Sequence, residues 1–296
     1  MLKYRNYFYT LSSILIIISV ISLWQFGLEY GIDFKGGSLM EIEFVSSVPE
    51  HGAVREALSE FNIGEIVVQS VGARGLMLRF AEIDEATHQN IFNKLKESGE
   101  VEELRFESVG PVLGAETKRK SLWAIALVVV TILVYVAWAF RRISFPVKSW
   151  VYAIMAVIAL FHDILITVGV FSILSYFFHM EIGVPFVAAL LTILGYSVND
   201  TIVVFDRIRE NVSRASSSFN FSDIINKSIR ETYVRSLNTS LTTIAALIAV
   251  YLFGEATIQY FVLVLIIGIS IGTYSSICIA SPLLFSWAML KNKRRR

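Results

Sequence analysis

Only one cysteine, Cys278, occurs in the 296 residues, and it lies inside an apolar run, so neither an intrachain disulfide nor a thiolate metal cluster can form. Histidine is nearly as scarce. His51, His88, His162 and His179 share no ligand spacing, so no metal site is expected. No serine stands in a nucleophile elbow, and no glycine run has the spacing of a Walker loop or a dinucleotide fingerprint. Hydrolytic and nucleotide-dependent chemistry are therefore not expected of the chain. A net charge of +1 also lacks the basic excess of a nucleic-acid binder. Charged residues make up only 17% of the chain against 55% hydrophobic, with a mean hydropathy of +0.61. One soluble core of this length would not bury so much apolar surface, which makes a bilayer the natural solvent.

Six apolar stretches, 8–26, 121–140, 150–178, 184–205, 237–253 and 258–290, are close to or longer than the ~20 residues that cross a hydrocarbon core of ~30 Å. Their backbones must be helical to satisfy their own polar groups. The first follows Lys3 and Arg5 as a signal peptide would, but it is long, and Trp24-Gln25-Phe26 offers no small-residue cleavage site, so it reads as a retained anchor. Lys3, Arg5, Arg141, Arg142, Lys148, six basic residues from Arg207 to Arg235, Lys291 and the run from Lys293 to Arg296 all fall on one side. The opposite short loops around Glu181 and Glu255 hold none. This positive-inside pattern puts both termini in the cytoplasm. Lys118, Arg119 and Lys120 dissent, just outside the second span.

Residues 29–120 differ in kind, carrying seventeen acidic and ten basic residues. Their pattern predicts a strand over 39–45, a helix over 49–61, strands over 65–71 and 75–81, a helix over 84–97 and a strand over 101–109. Such a β-α-β-β-α-β order is the ferredoxin-like arrangement. The expected organisation is an amino terminus and first span at 1–28, the extracytoplasmic domain at 29–120, five spans at 121–290 with cytoplasmic loops at 141–149 and 206–236, and a basic tail at 291–296.

Charges at membrane depth are the first candidates for chemistry. Asp163 lies ~20 Å along its helix from Trp150, and Asp200 ~22 Å from Pro185, roughly 8 Å inside the cytoplasmic border. Inserting an aspartate at a helix centre costs about 2.5 to 3.5 kcal/mol, so such residues face a bundle interior or a water path and have a role. Arg235 opens the fifth span where its long side chain can reach toward Asp200, making a proton relay or a static register-fixing bridge. His162 adjoins Asp163, yet neighbouring residues point to different helix faces, which favours a satisfied packing residue. Asp206, beside Arg207 and Arg209, reads as an interfacial charge. Gly268, Gly272, Ser276 and Ala280 recur every four residues as a helix-packing stripe, with a partner either in this chain or in another. Gly31-Ile32-Asp33-Phe34-Lys35-Gly36-Gly37-Ser38 follows the first span, and alone its glycines signal only turns.

Three motifs together with the run from Gly195-Tyr196-Ser197-Val198-Asn199-Asp200-Thr201 through Asp206-Arg207-Ile208-Arg209-Glu210 carry a resemblance. The motifs are the glycine segment above, Val109-Gly110-Pro111 with Leu113-Gly114, and His162-Asp163. The chain resembles the SecF family, the smaller membrane subunits of SecDF protein-export complexes in the RND superfamily of proton-driven transporters. The resemblance implies a membrane all-α bundle of six transmembrane helices, half of an RND-type transporter, with an inserted α+β ferredoxin-like domain in the periplasm. It also implies residence in the bacterial inner membrane and pairing with SecD. Such a complex works beside the SecYEG channel, after SecA, with YajC and YidC as further candidate partners and preproteins as substrate. By resemblance Asp200 is a proton-path carboxylate, Arg235 its basic partner and Asp163 a further relay residue, supported by Asn199, Tyr196 and His162. No cofactor is implied beyond an ion gradient of protons or, alternatively, sodium. Rival readings are an RND-type small-molecule or lipid exporter subunit and a non-coupling membrane scaffold.

Overall fold

The computed structural model describes residues 1–141, 147–215, 220–254 and 256–293. Arg142, Glu255 and Arg294 to Arg296, read above as loop and tail charges, lie outside the described residues, as do parts of the 141–149 and 206–236 loops. In chain order the elements are α1 (Arg5–Gln25), α2 (Ile32–Lys35), β1 (Gly37–Phe44), α3 (His51–Leu58), β2 (Val67–Val71), β3 (Gly75–Phe80), α4 (Glu85–Glu97), β4 (Val101–Val109), α5 (Pro111–Ala139), α6 (Ser149–Phe178), α7 (Val184–Ser213), α8 (Phe221–Phe253), α9 (Ala256–Ser275) and α10 (Ser281–Lys293). A single π turn, Ser276–Ala280, joins the last two helices. Contacts divide the chain into a helical unit, Met1–Glu29, Trp123–Met180 and Pro185–Arg296, and a sheet unit, Tyr30–Leu122 with Glu181–Val184.

Six helical segments are long and apolar enough to cross a membrane: Leu2–Gln25, Pro111–Ala139, Ser149–Phe178, Val184–Ser213, Phe221–Phe253 and Ile258–Lys291. Four of them outrun the apolar stretches in the sequence by six residues or more, the first by beginning at Leu2. The second begins ten residues earlier, at Pro111, the fourth continues to Ser213, and the fifth starts sixteen residues earlier, at Phe221. Beyond the apolar layer these helices continue on polar residues tied one turn apart: Lys120 to Glu116 at 2.9 Å, Arg207 to Glu210, and Arg214 to Glu210 at 2.6 Å. Much of the expected 206–236 loop is thus helical. Proline at the first position of α5 costs nothing, because that N–H has no intrahelical partner.

Within the helical unit the third, fourth and sixth spans are the most buried, and the first, second and fifth expose most of their apolar surface. Phe140, just past α5, stacks on Tyr152 at 5.2 Å, and Phe205 of α7 meets Tyr152 edge-on at 5.4 Å, so the start of α6 packs between the two. Between α1 and α6 the contact is made by small residues. Ser22 donates to the Gly169 carbonyl at 3.0 Å, and a side chain at Gly169 would collide with Ser19. The polar end of α7 is tied to α8 by Glu231, which accepts from Arg207 Nε at 2.7 Å and Asn211 Nδ2 at 2.8 Å. Asn211 also donates to Ser228 at 2.9 Å.

The sheet unit holds four antiparallel strands in the order β2-β3-β1-β4. Alternation along β1 and β3 turns Met40, Ile42, Phe44, Leu76, Leu78 and Phe80 onto one face, where they bury against Val54 and Leu58 of α3 and Ile91 and Leu95 of α4. Of the dissenting basic cluster, Lys118 places its ammonium 3.8 Å from the Tyr30 ring centre and Lys120 pairs with Glu116.

Leu58 is fully buried, so Leu58→Ala is expected to destabilise the sheet unit by about 2 to 5 kcal/mol. Amide exchange in β1 and β3 should accelerate while the spans stay protected, and uniform acceleration would contradict two separately packed units. At the start of α4, Thr87 N–H donates to Asp84 at 2.9 Å, and hydrogen bonding from the Thr87 side chain, together with this backbone bond, holds the Asp84 carboxyl below its ordinary range. The cap therefore contributes fully above the ordinary carboxylate pKa and is lost as pH falls through the lowered value. Measured against its intrinsic rate, the Thr87 amide should lose protection as acid protonates Asp84 in the native chain, with no such pH-dependent loss in Asp84→Ala.

Candidate ion-coupling site

Both intramembrane aspartates are buried in the helical unit, in opposite chemical circumstances. Asp163, 0% exposed on α6, has donors at both oxygens. Ser197 of α7 and Ser275 of α9 donate to Oδ2 at 2.5 and 2.7 Å, and His162 Nδ1 lies 2.8 Å from Oδ1. The other ring nitrogen of His162 lies 3.0 Å from Ser12 Oγ on α1, which is 3.2 Å from the Tyr274 hydroxyl on α9. Tyr274 in turn donates to the Phe8 carbonyl. One carboxyl thus gathers polar groups from α1, α6, α7 and α9. The expectation that His162 and Asp163 diverge is corrected here. Their Cα–Cβ bonds leave the helix in different directions, but the imidazole is long enough to turn back onto its neighbour.

Asp200, 3% exposed, lies one helical turn beyond Ser197 on α7. Among the described residues its Oδ2 is buried without a hydrogen-bond partner, as is Ser236 Oγ on α8. Ser236 and Arg235 both stand on α8. Arg235 itself is exposed, and among the described residues no ion pair joins it to Asp200 within 4.0 Å. Tyr196 points to hydroxyls of α8, 3.4 Å from Ser240 and 3.5 Å from Thr243, while Asn199 is exposed.

Small residues allow this convergence. A side chain at Gly268 would collide with Ile193 of α7, and one at Gly272 would meet Ser197 Cβ at 3.0 Å. The stripe's partner at these two positions is thus α7 of the same chain, and Ser276 and Ala280 are fully buried in the π turn that follows. A π turn widens the helix by one residue, a feature frequent at functional sites. Sequence reasoning missed Ser12, Ser197, Tyr274, Ser275 and Ser236. The only trace of the first is the spacing of Ser12, Ser19 and Ser22 along one face of α1.

The two carboxyls can therefore do different things. Asp163, saturated by donors from three helices, pins the bundle. Among the described residues Asp200 has a buried oxygen with no hydrogen-bond partner, and the long-armed cation Arg235 stands on α8. Asp163→Ala would strand His162 Nδ1 and Ser197 Oγ without this acceptor, at about 1 to 3 kcal/mol for each buried group left unpaired, while Ser275 keeps the Gly272 carbonyl at 3.2 Å. Thermal unfolding in detergent should fall accordingly and recover in part with Asp163→Asn; a loss below about 1 kcal/mol would contradict a pinning role.

Residues 88–290 match the family model described as Protein export membrane protein SecD/SecF, C-terminal, and residues 21–48 match the SecD/SecF GG Motif, which contains the glycine segment. A Protein translocase subunit SecF from Thermobaculum terrenum is 47% identical over 298 residues, covering 96% of this chain and 92% of the relative. Its counterpart from Sebaldella termitidis is 39% identical, covering 96% of this chain and 90% of the relative. The crystal structure of SecDF, a translocon-associated membrane protein from Thermus thermophilus, superposes with a TM-score of 0.83 at 31% identity over 97% of this chain. SecDF in a super-membrane-facing form gives 0.69 at 29% identity over 99% of this chain. The chain spans 38% and 39% of those two solved chains. With a family model over more than half of its residues and a relative 47% identical along nearly its whole length, the chain belongs to the SecF family of protein translocase subunits.

Proposed function

We propose that this chain is the ion-coupled half of a SecDF-type export machine: with a SecD partner it draws on the proton motive force to assist late preprotein translocation and release, after SecA has driven the preprotein through SecYEG. The observation that carries the reading is Asp200, buried on α7 with an oxygen that has no hydrogen-bond partner among the described residues, with Arg235 standing on α8. A proton arriving from outside neutralises Asp200, weakens its attraction to Arg235 and changes how α7 packs on α8; the helices then bias the sheet domain between two poses. The membrane potential supplies about 2.3 kcal/mol per charge per 100 mV, comparable to one allosteric coupling energy of about 1 to 3 kcal/mol. One proton biases a pose and does not unfold a domain.

Supporting the partnership, the chain matches less than half of the solved SecDF chains, so a partner would supply the remaining spans. Basic residues concentrated on one side support an inner-membrane orientation with both termini cytoplasmic and the sheet unit in the periplasm. The sheet order β2-β3-β1-β4 with α3 and α4 on one face supports a ferredoxin-like domain.

Inverted vesicles test the reading. Asp200→Asn should abolish the part of preprotein export that depends on the proton gradient and leave the ATP-driven part intact. Removing the Arg235 charge should have the same sign. Export that keeps its gradient dependence in Asp200→Asn would leave a non-coupling scaffold, and dependence on sodium rather than protons, with the two varied independently, would reassign the ion.

A further inference from the structure

Within the helical unit, where residues just before and at the start of α1 meet the start of α8 and the first turns of α10, a cavity of about 440 Å³ opens among Lys3, Arg5, Asn6, Ser222, Asn226 and Phe285. That volume is in the range of small-ligand sites, roughly 300 to 1,000 Å³. The corner around it is fixed. Leu2 N–H donates to Asn226 Oδ1 at 3.1 Å, and the Tyr9 and Ser286 hydroxyls lie 3.1 Å apart.

The charge in this cavity is one-sided. Arg5 meets uncharged groups, with its guanidinium carbon 5.2 Å from the Phe285 ring centre and Nη1 3.6 Å from Met289 Sδ. Among the described residues no carboxylate lines the cavity, and neither Lys3 nor Arg5 has an acidic partner within 4.0 Å. By contrast, Arg207, Arg209, Arg214 and Lys227 of the same unit each have an aspartate or glutamate within that distance. The adjoining cavity, which shares Asn226, supplies its own carboxylates in Asp223 and Glu231. Two cations two residues apart repel each other, and an anion between them removes that cost. A guanidinium forks onto a phosphate through two N–H groups, and an ammonium adds a point charge. Ser222, Asn6 and Asn226 add uncharged hydrogen-bonding groups.

Depth identifies the source of the anion. The first candidate span, Leu2–Gln25, has 24 residues and is thus about 36 Å long, against a hydrocarbon core of ~30 Å. Its surplus falls at the end that bears Lys3 and Arg5. Tyr4 and Tyr7 are exposed beside them, and Trp287, two residues past Phe285, meets Trp150 edge-on at 5.7 Å. Tyrosine and tryptophan gather at headgroup level, so the cavity opens in that layer. Further along, α1 exposes Leu11, Ile14, Ile17 and Ile18, an apolar strip against which acyl chains can lie. A zwitterionic headgroup would bring its own ammonium toward the two cations. A headgroup charged only at its phosphate does not.

We propose that Lys3 and Arg5, with Ser222 and Asn226, form a binding site for the phosphate of an anionic phospholipid headgroup at this membrane border. The site stands whether or not Asp200 carries protons.

The test uses the full chain purified with its SecD partner and follows lipid retained on this subunit by native mass spectrometry. The probes are dioleoylphosphatidylglycerol, dioleoylphosphatidylcholine and inorganic phosphate. The native chain is expected to prefer phosphatidylglycerol, and Lys3→Gln combined with Arg5→Gln to lower that preference about tenfold or more. Lys227→Gln combined with Arg230→Gln removes the same charge from the adjoining cavity and should leave the preference unchanged. Because Lys3 and Arg5 also bear on membrane orientation, Ser222→Glu serves as a second variant. It keeps both cations, places a carboxylate in the cavity and should abolish the preference. Equal retention of the two lipids by the native chain, or equal loss in the adjoining-cavity variant, would overturn the site. Persistence of the preference in Ser222→Glu would overturn it as well. Displacement of the lipid by millimolar inorganic phosphate would give the cavity to a soluble anion and overturn the lipid assignment; none is expected.

Discussion

A carboxylate oxygen buried between helices without a donor is the constraint on which the rest of this structure turns. In lipid a charge is tolerated only when it is paired, hydrated or functional, and the helical unit contains both a paired case and an unpaired one. Asp163 is tied by Ser197, Ser275 and His162, whereas Asp200, one turn beyond Ser197 on α7, has an oxygen with no hydrogen-bond partner among the described residues. Holding the first fixed makes a change at the second mechanically useful, because a bundle that gave way everywhere would transmit nothing.

α7 is the element on which this arrangement is built. Its middle approaches α9 through Gly268 and Gly272, and its polar end is tied to α8 through Arg207, Asn211 and Glu231. Glu231 stands four residues before Arg235, so the same ion network sets where on α8 the arginine begins its reach. The π turn at Ser276–Ala280 follows directly on Ser275, which donates to Asp163 from the helix whose Gly268 and Gly272 close on α7.

Much of this was legible in the sequence because two strong physical signals were present. Apolar run length predicts six helices long and apolar enough to cross a membrane, as found, and alternation predicts the four strands to within about two residues. Helix ends were misjudged at Pro111, Ser213 and Phe221, since a helix that leaves the apolar layer continues on polar residues that hydropathy reads as loop. Asp163 and Asp200 stood out by the cost of placing them where they are. Their serine partners did not, because a hydroxyl in an apolar helix satisfies itself on the preceding turn and announces nothing about its neighbours. The acceptor and donor of the 31–37 segment were invisible for a different reason: they lie about 150 residues away, and only folding brings Glu181 and Val184 to Gly31 and Asp33.

The account stands on a change of ionisation at Asp200. Difference infrared spectroscopy of the intact complex in membranes, recorded as external pH is stepped, detects a protonated carboxylic acid directly by its C=O stretch. A band that appears and disappears with pH in the native chain and is missing from Asp200→Asn, with Asp163 unchanged, is the predicted result. A carboxyl spectrum identical in the two proteins at every pH would contradict it.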